Sequence, residues 1–119
     1  HSVSHCNLAK QSEAIATQEM AVSRAQLEQA LGRNVQHLAY PYGDREAAGE
    51  REFVLAASAG FKTAVTTRPG MLFAENAGRM TALPRVSLNG NYQDTRILPV
   101  LTSGAATAMW NGFRRIAAA

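Results

Sequence analysis

A second cysteine is missing from this chain: Cys6 is alone among 119 residues, so no internal disulfide can form, and one thiol says little about redox compartment. A long apolar run is missing too. No stretch approaches the roughly 20 residues that a membrane-spanning helix needs. Nor is there a concentrated block of one charge. Twelve basic against nine acidic residues leave a net charge of +3, scattered except at Arg114-Arg115, which reads as a solvated helix end. That balance is too weak to mark a nucleic-acid partner. The first residue is a histidine rather than a methionine, which reads as the edge of a cut or processed chain. A signal peptide would lie upstream of that edge, so localisation cannot be read, whether cytoplasmic or extracytoplasmic.

What is present suffices for one compact domain, since 46% of the residues are hydrophobic. From Ser12 to Leu31, Ile15, Ala16, Met20, Ser23, Leu27, Ala30 and Leu31 recur at helical spacing, with Ser12 as N-cap and Gly32 as stop. Val35 to Tyr40 reads as a strand ended by Pro41 and Gly43, and Glu50 to Ala59 as a helix closed by Gly60. Lys62 to Thr66 is expected as the next strand, before Arg68-Pro69-Gly70. Arg85 to Leu88, after Pro84, is expected as another, before an Asn89-Gly90 turn. Thr95 to Thr102 and Ala105 to Ile116 read as helices, the second aiming Met109, Trp110 and Phe113 at a core. Helices separating short strands predict an α/β fold with a parallel sheet, whose functional residues gather at the carboxyl ends of strands.

Two constellations carry chemistry. His1 and His5 stand four residues apart, and two neutral imidazoles can converge on one borderline divalent metal such as zinc. They read equally as exposed polar residues at a frayed terminus. Cys6 is the weaker candidate for a third ligand, because a lone cysteine is more often a small buried apolar residue. The second constellation is Tyr40-Pro41-Tyr42-Gly43-Asp44, at the end of the Val35 strand. Proline and glycine turn the backbone out of the sheet, where an N–H can face a ligand and tyrosines can wall a sugar site. The alternative is an ordinary strand-to-helix turn. Asp44 is expected to cap the segment after it, and His37 to be structural or superficial.

Taken together, the two resemble a known family. His1-Ser2-Val3-Ser4-His5 is similar to the His-Ser/Thr-x-x-His metal motif of polysaccharide deacetylases, and Tyr40-Pro41-Tyr42-Gly43-Asp44 resembles that family's groove motif, at about the right distance downstream. Gly60-Phe61, Ala64-Val65-Thr66-Thr67 and Leu83-Pro84-Arg85-Val86-Ser87-Leu88 resemble a bacterial branch of it. The resemblance implies an irregular (β/α) barrel of parallel strands. It also implies removal of N-acetyl groups from N-acetylglucosamine-containing glycans at a divalent metal, zinc first among candidates.

By the same resemblance His1 and His5 are metal ligands, the Tyr42 backbone N–H stabilises the oxyanion, and Tyr40, Pro41 and Tyr42 line the substrate groove. The third ligand and the general base belong to a Thr-Phe-Asp-Asp type motif that this sequence does not contain. Residues 1–119 are therefore expected to be the C-terminal part of such a domain, with its N-terminal strands missing, its barrel open and little activity of its own. Exposed sheet edges would then favour self-association. Two departures stand out. Ala39 replaces the arginine that many members carry at the start of the groove motif, and Arg85 either supplies that guanidinium or makes a surface ion pair. No histidine occurs after His37, so the family's late acid histidine has no counterpart. These departures suggest the alternative of a non-catalytic carbohydrate-binding or structural remnant.

Overall fold

The structure, a computed structural model, describes residues 1–88 and 94–112. After a short 3-10 turn at Leu8–Lys10, helix α1 spans Glu13–Leu31, followed by strand β1 (His37–Ala39), helix α2 (Glu50–Ser58), strand β2 (Thr63–Val65), a 3-10 turn at Ala74–Gly78, and helices α3 (Ile97–Thr102) and α4 (Ala105–Trp110). The ends of α1 are set locally. The Ser12 hydroxyl accepts the Ile15 N–H at 3.4 Å, and Gly32 stops the helix in the left-handed conformation, φ +63°, donating its N–H to Glu28. At α2, Gly49 offers no side-chain oxygen, so the cap is made in reverse: the buried Glu52 carboxylate reaches back to the Gly49 N–H at 2.8 Å.

β1 and β2 pair in parallel with His37 opposite Thr63, Leu38 opposite Ala64 and Ala39 opposite Val65. A single parallel bridge from Val65 to Leu83 prolongs the sheet by one position. The α/β class and parallel pairing thus match expectation, while the described residues form a two-stranded sheet rather than a barrel. Arg85 to Leu88 is a correction, for it forms no strand. Pairing is made by Leu83, whose N–H donates to Ala64 while its carbonyl accepts from Thr66; the next residue, Pro84, has no N–H, and the Arg85 N–H turns to Arg68.

Leu8, Met20, Leu38, Tyr40, Phe53 and Phe61 form the largest part of the core between sheet and helices. Two arginines tie its layers. Arg24 of α1 donates to the Ala59 carbonyl at 2.8 Å beyond α2, lies 5.4 Å over the Phe61 ring and pairs with Glu28, which accepts the Val35 N–H at the entry to β1. Arg51 of α2 donates to the carbonyls of Leu8 and Gln11. Two expectations about faces are corrected. On α1 only Ala16 and Met20 are buried, and Ile15, Leu27 and Leu31 are exposed. On α4, Met109 and Trp110 are 71% and 82% exposed rather than in a core. Asn89-Gly90, Phe113 and Arg114-Arg115 lie outside the described residues.

Candidate metal and oxyanion site

β1 and β2 end side by side, and the chain leaves both at one rim. Beyond β1, the Tyr40 N–H still donates to the Val65 carbonyl before Pro41 ends the ladder. Tyr42 and Gly43 then take left-handed conformations, φ +61° and +68°. Gly43 is required there. A Cβ on it would sit 2.8 Å from the Thr67 nitrogen, because the two rim turns are bonded directly, Thr67 N–H to the Gly43 carbonyl and Thr67 hydroxyl to the Tyr42 carbonyl at 2.7 Å. Asp44 caps the next turn, its Oδ1 accepting the N–H groups of Glu46 and Ala47, as expected. Arg68 holds the same turn from inside, its guanidinium donating to the Ala48 and Asp44 carbonyls and lying 5.4 Å over Phe53. Burial, with Arg45 nearby, draws its pKa down.

The histidine loop lies against this rim. His1 and His5 stack edge to face with ring centroids 4.8 Å apart, and His5 meets the Tyr42 ring in the same way at 5.0 Å. The His1 Nδ1 lies 2.6 Å from the Ala39 carbonyl at the end of β1. A carbonyl only accepts, so Nδ1 carries the proton and the Nε2 lone pair is left for a ligand, the usual outer-shell arrangement of a metal-binding histidine. Two imidazoles on one tetrahedral zinc ion, with Zn–N near 2.1 Å, place their ring centroids about 5 Å apart, which this pair nearly meets. In ring separation, the pair fits two ligands of one ion. Among the described residues no group of three His, Cys, Asp or Glu side chains could hold a metal ion.

The loop's shape is imposed from α1. His5 sits at φ +56°, a left-handed strain of order 1 kcal/mol or more for a residue with a Cβ, so something must hold it. The Ser23 hydroxyl donates to the His1 carbonyl at 2.7 Å, and the Glu19 carboxylate accepts from the Ser4 N–H at 2.9 Å and the Ser4 hydroxyl at 3.0 Å. Those bonds, the backbone one foremost, hold the Glu19 carboxyl below its ordinary range. Cys6 packs against the core.

Tyr42 is 56% exposed, and its N–H makes no hydrogen bond to the described residues, so both ring and amide are available at the rim. Tyr40 and Pro41 are a correction. Both are fully buried rather than on a groove wall; the Tyr40 ring packs on Phe53, its hydroxyl donating to the Thr81 carbonyl at 2.8 Å, and burial raises its pKa. Arg85 is exposed, with its backbone bonded to Arg68 and no contact bringing its guanidinium to the histidines. His37 pairs with its cross-strand neighbour Thr63, Nδ1 to Oγ1 2.7 Å, as a surface residue should. Sequence reasoning missed Glu19, Arg68 and Thr67. Ser23 left a trace, as the one hydroxyl on an otherwise apolar helical face.

Comparison with known proteins bears on the family and the fold. No curated protein matches the chain. A solved structure, the Streptococcus pyogenes deacetylase PplD in complex with acetate, is 31% identical with a TM-score of 0.67 over 76% of this chain and 38% of that one. This chain thus spans well under half the length of that relative. The polysaccharide deacetylase family model matches residues 1–64, a stretch running from His1 through α1, the Tyr42 turn and α2 into β2, and the chain belongs to that family.

Proposed function

We propose that this chain forms the histidine-bearing part of a metal-dependent deacetylase that removes N-acetyl groups from N-acetylglucosamine-containing poly- or oligosaccharides. The observation that carries the reading is the His5 ring set against both His1 and Tyr42 at one rim, with the His1 Nδ1 2.6 Å from the Ala39 carbonyl. The irregular barrel, with residues 1–119 as its C-terminal part, belongs to this proposal by family resemblance; the match to 38% of the solved deacetylase leaves room for further elements. A bound zinc ion would polarise the acetamide carbonyl and lower the pKa of a coordinated water toward neutrality. His1 and His5 would hold it, and the Tyr42 N–H would donate to the developing oxyanion, a contribution worth about 3 kcal/mol at comparable sites. The exposed Tyr42 ring offers the sugar an apolar face. The third ligand and the base are assigned, by family resemblance, to an Asp-Asp motif outside this sequence.

The test is acetate release from chitooligosaccharides by the protein encoded by the complete reading frame, with zinc supplied. Release that is abolished by a chelator and by His5→Ala is expected. Glycan binding without any release would instead establish the non-catalytic alternative, which Ala39 and the lack of a late histidine suggest. The 119 residues alone are expected to release none.

A further inference from the structure

We propose that Glu19, on the second turn of α1, is the positioning residue of the metal site: its carboxylate fixes the backbone between His1 and His5 and thereby sets where the His5 imidazole points. The inference rests on the metal reading of that pair. Glu19 touches neither histidine. It accepts both hydrogen bonds that Ser4 can offer, N–H at 2.9 Å and hydroxyl at 3.0 Å, so the residue before His5 is tied to a helix through its side chain and the Val3–Ser4 peptide. His5 itself is left-handed, φ +56°, a conformation uncommon for any residue with a Cβ. On the other side of His5, Cys6 packs on the core. The kink is thus clamped at both flanks, and its product is a ring 4.8 Å from His1 and 5.0 Å from Tyr42. One helical turn further, Ser23 holds the His1 carbonyl, so the i and i+4 residues of α1 secure the two ends of the loop.

This is not the bond set of a general fold anchor. Glu19 is outside the buried core, and the groups acting on its carboxylate, Ser4 foremost with Ser2 and Cys6, all belong to the histidine loop. Glu28 provides the contrast on the same helix: it too accepts a backbone N–H, from Val35, yet it anchors the entry to β1 and not the histidines. Losing an outer-shell partner of a metal ligand typically weakens metal binding about 10- to 100-fold. Here the partner orients the ligand through its backbone.

The experiment uses the protein encoded by the complete reading frame, with zinc alone as the probe. Zinc dissociation constants are measured by competition with a chromophoric chelator, and amide exchange at Ser4 is monitored in EDTA. Glu19→Ala is expected to weaken zinc binding about tenfold and to expose the Ser4 amide to exchange without metal. Glu19→Gln keeps an acceptor for Ser4 and should recover part of both. Glu28→Ala should lower thermal stability with zinc affinity unchanged. Should Glu19→Ala not fold, Ser4→Ala, which deletes only the hydroxyl bond, is expected to weaken zinc binding by a smaller factor. Wild-type affinity in both the Glu19 and Ser4 variants would overturn the positioning role while leaving the metal reading intact. Absence of saturable zinc binding by the wild-type protein, or its persistence in the His1→Ala, His5→Ala double variant, would overturn the metal reading beneath it.

Discussion

A methyl group at position 43 has no room, and its backbone has the wrong hand for one. Gly43→Ala places a Cβ 2.8 Å from the Thr67 nitrogen at φ +68°, so it should destabilise the fold by about 2 kcal/mol or more, read as a lower urea midpoint with an unchanged slope. Tyr40→Phe deletes one buried hydroxyl that donates to Thr81; it should cost about 1 to 2 kcal/mol while leaving KM for a chitooligosaccharide unchanged in the complete protein. A raised KM at unchanged stability would return Tyr40 to the groove. The two tyrosines also show what a sequence hides. Spaced by two, they would share one face of a regular strand. Pro41 ends the ladder and Tyr42 turns left-handed, so one ring goes into the core and the other to the rim.

At the scale of the element, α1 outruns the sheet it covers. Nineteen helical residues extend about 28 Å, whereas three strand residues of β1 extend about 10 Å. Periodicity placed Ala16 and Met20 on the covered face, but Ile15, Leu27 and Leu31, read onto the same face, are exposed. Met20→Ala, in the covered half, should cost about 2 to 4 kcal/mol, and Leu27→Ala, 44% exposed, about 1 kcal/mol or less, both by equilibrium unfolding. Similar costs would mean that the described face is not the one that packs in solution. Helix ends were legible because Ser12 and Gly32 act on their own backbone neighbours. Strand ends were not, since pairing depends on a partner: Leu83 rather than Arg85 finds Val65, and nothing in Pro84-Arg85 announces that the next amide turns to Arg68. The same division holds at the site. His1 and His5 were visible by type and spacing, while Glu19 and Arg68 act through bonds spanning 15 to 24 residues that no local pattern encodes.

For the whole molecule, acid stability depends on carboxylates that join segments. Glu28 links α1 to the entry of β1 by accepting the Val35 N–H beside Arg24, and Glu19 links α1 to the histidine loop by accepting from Ser4; both are held below the ordinary glutamate range, each first by that backbone bond. A depressed folded-state pKa means that the unfolded chain binds the proton more readily. The stabilisation is then fully present above the unfolded value of about 4.3 and is lost as pH falls through the lower folded value. These two groups should therefore contribute no slope to the thermal midpoint from about pH 7 to pH 5.5, and a decline below about pH 4.5. Carboxylates that are unshifted give no such slope, which makes the variant informative. Glu28→Gln cannot ionise, so it should be less stable than wild type near neutrality and lose less on acidification, the two midpoints converging as pH falls through the lowered folded value. Parallel acid limbs in wild type and Glu28→Gln would show that this carboxylate does not link folding to proton binding, and that the attachment of α1 to the sheet rests on Arg24, Phe61 and the core instead.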